Sequence, residues 1–177
     1  MSTRLFAVAR SIFFGSLFIS LWTWFVPRWI AGPDVQLVPR WSAAAIAFML
    51  PGALIMLACI WDFAWSGRGT PAPWDPPRRL VVTGLYRYVR NPMYVGMGLF
   101  LIGEAFLLPA VTRGLLITVA VFWAAATIFI LAYEEPTLRE KFDGDYVDYC
   151  RHVRRWLPRL TPFDKPRTAA VPSPDLE

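Results

Sequence analysis

The sequence predicts an all-helical protein that crosses a membrane several times, on three observations. Of its 177 residues, 56% are hydrophobic and 18% charged, with a mean hydropathy of +0.41. An ordinary soluble domain is about 45–50% apolar and about a quarter charged. Four runs stay apolar for about 20 residues, the length a helix needs to cross a bilayer. The basic residues between those runs fall mainly on one side. The same composition excludes a disordered chain, a coiled coil and a small disulfide-stapled domain, and it predicts one integral membrane domain over residues 1–163.

The first run covers residues 5–26 and is uncharged after Arg10. It reads as a retained helix rather than a cleaved leader. The run is long, no small-residue cleavage site follows it, and Trp22 and Trp24 mark a membrane interface. The second run, 41–61, carries no charge; the third, 93–112, is interrupted by Glu104; the fourth, 114–133, is again uncharged. With the N-terminus in the cytoplasm, 15 Lys and Arg lie on that side, against Arg28, Arg40 and Arg113 on the other. This bias predicts cytoplasmic termini and a multi-pass protein of the inner (plasma) membrane.

The parts able to carry chemistry are then the loop 62–92 and the tail, both on the cytoplasmic side. The loop is rich in Gly and Pro, which disfavours a long helix. The tail predicts an amphipathic helix over 136–153, with Leu138, Phe142, Tyr149 and Val153 on one stripe and Gly144 weakening its middle. Residues 164–177 are polar and proline-bearing, and are expected to be disordered.

Cys59, Cys150 and the lone His152 lack metal-ligand spacing, so no metal site is expected. The net charge of +5 is spread between apolar runs. This favours anionic lipid headgroups over nucleic acid as the partner.

The segment 84–98 places Asn91 as a helix N-cap, Pro92 as first helical residue, and Arg87 and Arg90 beside them. A helix N-terminus flanked by arginines suits a carboxylate or phosphate. Gly96 and Gly98 let a ligand or another helix come close. The same residues also read as interfacial anchors and packing positions.

Glu134 and Glu135 stand side by side at the C-terminus of the fourth run, against the negative end of its dipole. They require a cation, either a loop arginine or a charged ligand, and they also suit the start of the next helix before Pro136. Glu104 lies twelve residues beyond Pro92, about 18 Å into its span. It is a functional candidate by depth, or a group that snorkels outward or pairs with Arg113. Arg151, Arg154, Arg155 and Arg159 with Trp156 read as a membrane-surface patch, able also to gather an anionic lipid substrate.

Two blocks carry a resemblance. Gly84 to Gly96 fits G-x-Y-x-x-x-R-[HN]-P-x-Y-x-G. Glu134, Glu135, Leu138, Phe142, Tyr146 and Tyr149 fit E-E-x-x-L-x-x-x-F-x-x-x-Y-x-x-Y, followed by the basic-proline ending Arg154-Arg155-Trp156-Leu157-Pro158-Arg159. In this order, separated by one helical hairpin, the chain resembles the isoprenylcysteine carboxyl methyltransferases and the related membrane phospholipid methyltransferases. The resemblance implies S-adenosylmethionine held at the cytoplasmic face by Tyr86, Arg90, Asn91, Pro92, Tyr94 and Gly96, with Glu134 and Glu135 opposite. It assigns catalysis to Glu134, Glu135 and Arg90, and Glu135→Gln is expected to weaken cofactor binding severely while leaving the protein folded. The implied acceptor is a lipophilic molecule from the bilayer: first an isoprenylcysteine carboxylate, alternatively a phospholipid amine or another small lipophilic acceptor. Asn91 stands where many relatives have histidine; asparagine cannot exchange a proton near neutral pH. The competing reading is a non-catalytic membrane scaffold or lipid-handling protein without cofactor affinity.

Overall fold

The computed structural model describes Leu17 and residues 20–62 and 80–164. Most of the first run, the loop residues 63–79 and the tail 165–177 lie outside the described residues. The described chain is all-helical. A π-helical turn, Leu21–Phe25, leads into α1 (Val26–Ala31), followed by α2 (Ala43–Asp62) and a 3₁₀ turn, Gly84–Arg87. Then come α3 (Pro92–Leu107), a 3₁₀ turn at Pro109–Val111, α4 (Thr112–Phe129), a π-helical turn at Ile130–Glu134 and α5 (Glu135–His152).

Local chemistry sets most boundaries. The Ser42 hydroxyl caps α2, accepting from the Ala45 N–H at 3.1 Å. Pro92 opens α3 with Asn91 as its N-cap, as expected from the fixed φ of proline at a first helical position. The third run ends five residues early, at Leu107 rather than 112. Pro109 disfavours helical torsions at the residue before it, and Leu108 sits at φ −115° and ψ 78°. From Pro109 the chain is helical without interruption to His152, apart from Asp143, whose φ of 41° and ψ of −122° break the helix beside Gly144.

Among the described residues two helices are long and apolar enough to cross a membrane, Ala43–Asp62 and the apolar part of Pro109–His152; Pro92–Leu107 is a shorter apolar helix. The α2 and α3 helices approach each other closely because glycines face each other. A Cβ on Gly52 would lie 2.6 Å from the Gly96 carbonyl oxygen, and one on Gly96 would lie 2.8 Å from Ile55 Cγ2. Met56, Met97, Leu101, Val119 and Phe122 form the core between α2, α3 and α4. Trp22 packs edge-on against Phe122 at 5.5 Å, whereas Trp24 is exposed and carries Arg28 over its ring at 4.2 Å. Of the two tryptophans, Trp24 alone has the exposure expected of an interfacial anchor.

Glu104 neither snorkels nor pairs with Arg113. It is 3% exposed, and its Oε2 has no hydrogen-bond partner among the described residues. Arg113 stands exposed on α4.

Candidate functional site

The N-terminus of α3 and the junction of α4 with α5 meet at one end of the helix bundle. Glu135, 7% exposed, receives two arginines. Arg155 forms a fork with Nε 2.8 Å from Oε1 and Nη2 3.1 Å from Oε2, while Arg90 Nη1 stands 3.1 Å from Oε1. Burial opposes ionisation of Glu135. The Arg155 hydrogen bonds and the charges of Arg90, Arg155 and Arg139 outweigh it and hold the carboxyl below its usual range. The cation that Glu135 requires is thus supplied from within the chain.

Glu134 is the first residue past the fourth apolar run, and its environment differs. Tyr94 donates its hydroxyl to Oε2 at 3.2 Å, the one hydrogen bond described at this carboxylate. Burial pushes its pKa up, the Tyr94 bond pulls it down, and the neighbouring Glu135 charge adds to the rise; the net shift is upward. The adjacent carboxylates therefore differ in state: one is locked by arginines, the other is kept poorly neutralised. Aromatic rings stand beside the second. Tyr94 meets Trp156 edge-on at 6.4 Å, and Trp156 meets Trp123 at 4.6 Å.

Arg155 and Trp156 belong to a segment for which no structure was expected. After His152 the chain leaves the helix and runs back along residues 87–91 as a strap. Arg90 N–H donates to the Arg154 carbonyl, Arg159 N–H to Tyr88, and Phe163 N–H to Arg87, each at 2.9 Å. Arg87 pairs with Asp164, and Asn91 Nδ2 donates to the Arg155 carbonyl at 3.3 Å. Beneath it Tyr146, Tyr149, Val153 and Phe163 form a buried cluster joined by Leu138 and Phe142, the stripe expected on this helix. Tyr149 donates its hydroxyl to the Tyr86 carbonyl at 2.5 Å.

The expected membrane-surface patch is therefore divided. Arg151 and Arg154 are exposed, but Arg155 is committed to Glu135 and Trp156 to the aromatic rings. The basic ending of the second block was the only sequence signal for this role; nothing in periodicity marked it.

Of the site residues expected from the sequence, Arg90, Asn91, Tyr94, Glu134 and Glu135 come together, with Pro92 buried at the helix start. Tyr86 turns toward Cys59 and Val81 on the α2 side. Gly96 faces α2 as well and serves helix packing there. Arg90 also donates to Cys150 Sγ at 2.8 Å, and its buried Nε has no partner among the described residues. No group of three or more potential metal ligands occurs among the described residues.

These features define a helical, membrane-type protein with a polar site where two helix ends meet. A family model for phospholipid methyltransferases matches residues 40–145, more than half of the chain, so the chain belongs to the phospholipid methyltransferase family. The match takes in Gly84 to Gly96 and Glu134–Glu135, and it ends before the strap. Comparison with curated proteins and with solved structures gave no match.

Proposed function

We propose that the protein transfers a methyl group from S-adenosylmethionine to the amine headgroup of a phospholipid, with the site on the cytoplasmic side of a four-span inner-membrane protein. Family membership supports a membrane methyltransferase with a lipid-type acceptor. The 15-to-3 bias of Lys and Arg supports the orientation. The unequal state of the two glutamates carries the choice of acceptor.

The chain's groups suit the cofactor's charges. Arg90 Nε, buried without a partner among the described residues, and the N-terminus of α3 suit its carboxylate; Glu134 suits its cationic groups. When bound, S-adenosylmethionine supplies an electrophilic methyl group on a sulfonium. Glu135 acts at one remove. Through Arg155 and Arg90 it holds the strap against Asn91 and keeps Arg90 in place. The aromatic faces of Tyr94, Trp123 and Trp156 favour a cation beside Glu134 and exclude water from it.

A protonated amine must lose a proton before its nitrogen can attack, and Asn91 cannot take it. Glu134, bonded only by Tyr94 among the described residues and with its pKa raised, would take that proton in our reading. A prenylcysteine carboxylate would need no base, and in that reaction Glu134 would serve only the cofactor's cationic groups. Anionic headgroups are drawn to the exposed Arg151 and Arg154 at the same end of the molecule.

The test is methyl transfer from tritium-labelled S-adenosylmethionine by reconstituted protein. The vesicles contain either phosphatidylethanolamine or a farnesylcysteine ester precursor in a phosphatidylcholine background. Label in methylated phosphatidylethanolamine, lost in Glu134→Gln, is the expected result. Label only in the farnesylcysteine product would overturn the choice of acceptor, and label in neither would overturn the assignment.

A further inference from the structure

At the other end of the bundle, α4 begins with Thr112 and Arg113, 21 residues before Glu134. At about 1.5 Å per residue this separation is about 32 Å, the thickness of a bilayer's hydrocarbon core. Arg113 therefore marks the membrane boundary opposite the glutamates. Beside it lies a groove of 760 Å³, walled by Ile30, Val35, Leu116, Ile117 and Ala120. Its volume falls within the range of about 300–1,000 Å³ typical of small-molecule sites.

Arg113 is the one charged residue lining the groove; it and Thr112 lie at the start of α4, and the wall from Leu116 to Ala120 continues along that helix without a charge. That layout fits an amphipath with an anionic head at the boundary and an apolar tail toward the midplane. The Thr112 hydroxyl is already bonded to the Ala105 carbonyl at 2.8 Å, which leaves Arg113 as the recognising group. Arg113 makes no ion pair among the described residues. The other described charges toward this end are Arg28, Arg40, Asp34 and the buried Glu104, so with Arg113 the basic groups outnumber the acidic ones by three to two. Val35, Leu116 and Ile117 are 44%, 46% and 57% exposed, an apolar surface that an acyl chain would cover.

We propose that this groove binds an anionic phospholipid of the leaflet opposite the candidate active site, with its phosphate on Arg113 and one acyl chain along Leu116–Ala120. The site is separate from methyl transfer and rests only on the chain spanning a bilayer.

The probe is phosphatidylglycerol carrying a diazirine on one acyl chain, presented to the full-length protein in phosphatidylcholine nanodiscs. Crosslinked peptides are mapped by mass spectrometry. Labelling should concentrate on the segments 30–35 and 109–120, and should fall at least fivefold with a phosphatidylcholine probe of the same chain. Arg113→Gln should remove it to the same degree. So should Ala120→Trp, which fills the groove and keeps the charge. Both positions are exposed, so each variant should melt with the wild type. Equal labelling by the two lipids, labelling spread over the exposed α2 face at Leu50, Leu54 and Leu57, or full labelling of either variant would each overturn the site. Methyl transfer measured on the same samples reports the proposed activity independently.

Discussion

Glu135→Gln separates the two glutamates most sharply. In the native protein the Glu135 carboxylate holds a fork from Arg155 and a contact from Arg90, with its own side chain 9% and that of Arg90 12% exposed. The amide keeps the shape and removes the charge, leaving Arg90 buried beside a neutral oxygen with its Nε already unpartnered. Breaking a buried pair by neutralising one partner costs about 3–5 kcal/mol. Arg155, whose side chain is 29% exposed, can regain water, so the lower end applies, about 3 kcal/mol. For a chain of this size 1 kcal/mol shifts Tm by about 2–4 °C, giving a fall of about 6–12 °C. Thermal unfolding of the purified protein, followed by tryptophan fluorescence, reads both the fall and the loosening of Trp156. Glu134→Gln should melt within about 2 °C of the wild type or above it, because burial opposes the native charge and glutamine can still accept from Tyr94. The reversed order, with Glu134→Gln strongly destabilised and Glu135→Gln unchanged, would refute the division of labour.

Because Glu135 titrates below its usual range in the folded protein, its contribution is complete above the unfolded carboxyl pKa of about 4.3 and is lost as pH falls through the lower native value. The Tm gap between wild type and Glu135→Gln should therefore be constant from pH 5 to 8 and close below about pH 4, as a melting series across that range would show. Gly96→Ala drives a Cβ to 2.8 Å from Ile55 Cγ2 and 2.9 Å from the Gly52 carbonyl oxygen; the overpacking should cost roughly 1–3 kcal/mol in denaturant titration, while any surviving folded fraction keeps its cofactor affinity. Trp156→Ala should cost roughly 2 kcal/mol, less than a fully buried tryptophan, and should speed hydrogen exchange at the Arg90, Arg159 and Phe163 amides. Glu104→Met, which replaces an unsatisfied carboxyl with an apolar group of similar length, should raise Tm and leave methyl transfer unchanged.

Much of this architecture follows from local rules. Ser42 before an uncharged run, and Asn91-Pro92 before the next, place the starts of α2 and α3 because capping and proline geometry act within a few residues. Pro109 held the information that ends α3 at Leu107, but hydropathy alone runs through Leu108 to Thr112 and masks it. The partners of Glu135 were not legible in the same way. Arg155 lies 20 residues away, beyond a broken helix, and a basic side chain near a membrane span reads first as a headgroup ligand. Its role emerges only when the strap hydrogen-bonds to Tyr88 and Arg90. Gly96 shows the converse: its need for space was evident, and the structure assigns that space to Gly52 and Ile55. The two sequence blocks thus named residues that meet at one end of the bundle, and the strap gives Glu135 its partners there.

The most direct test of the account is equilibrium binding of S-adenosylmethionine to detergent-purified protein, by calorimetry, in the wild type and in Glu134→Gln. Saturable binding weakened at least tenfold in the variant, at unchanged Tm, is the predicted result. Absence of saturation at millimolar ligand in folded wild-type protein, or equal affinity in the variant, would contradict it.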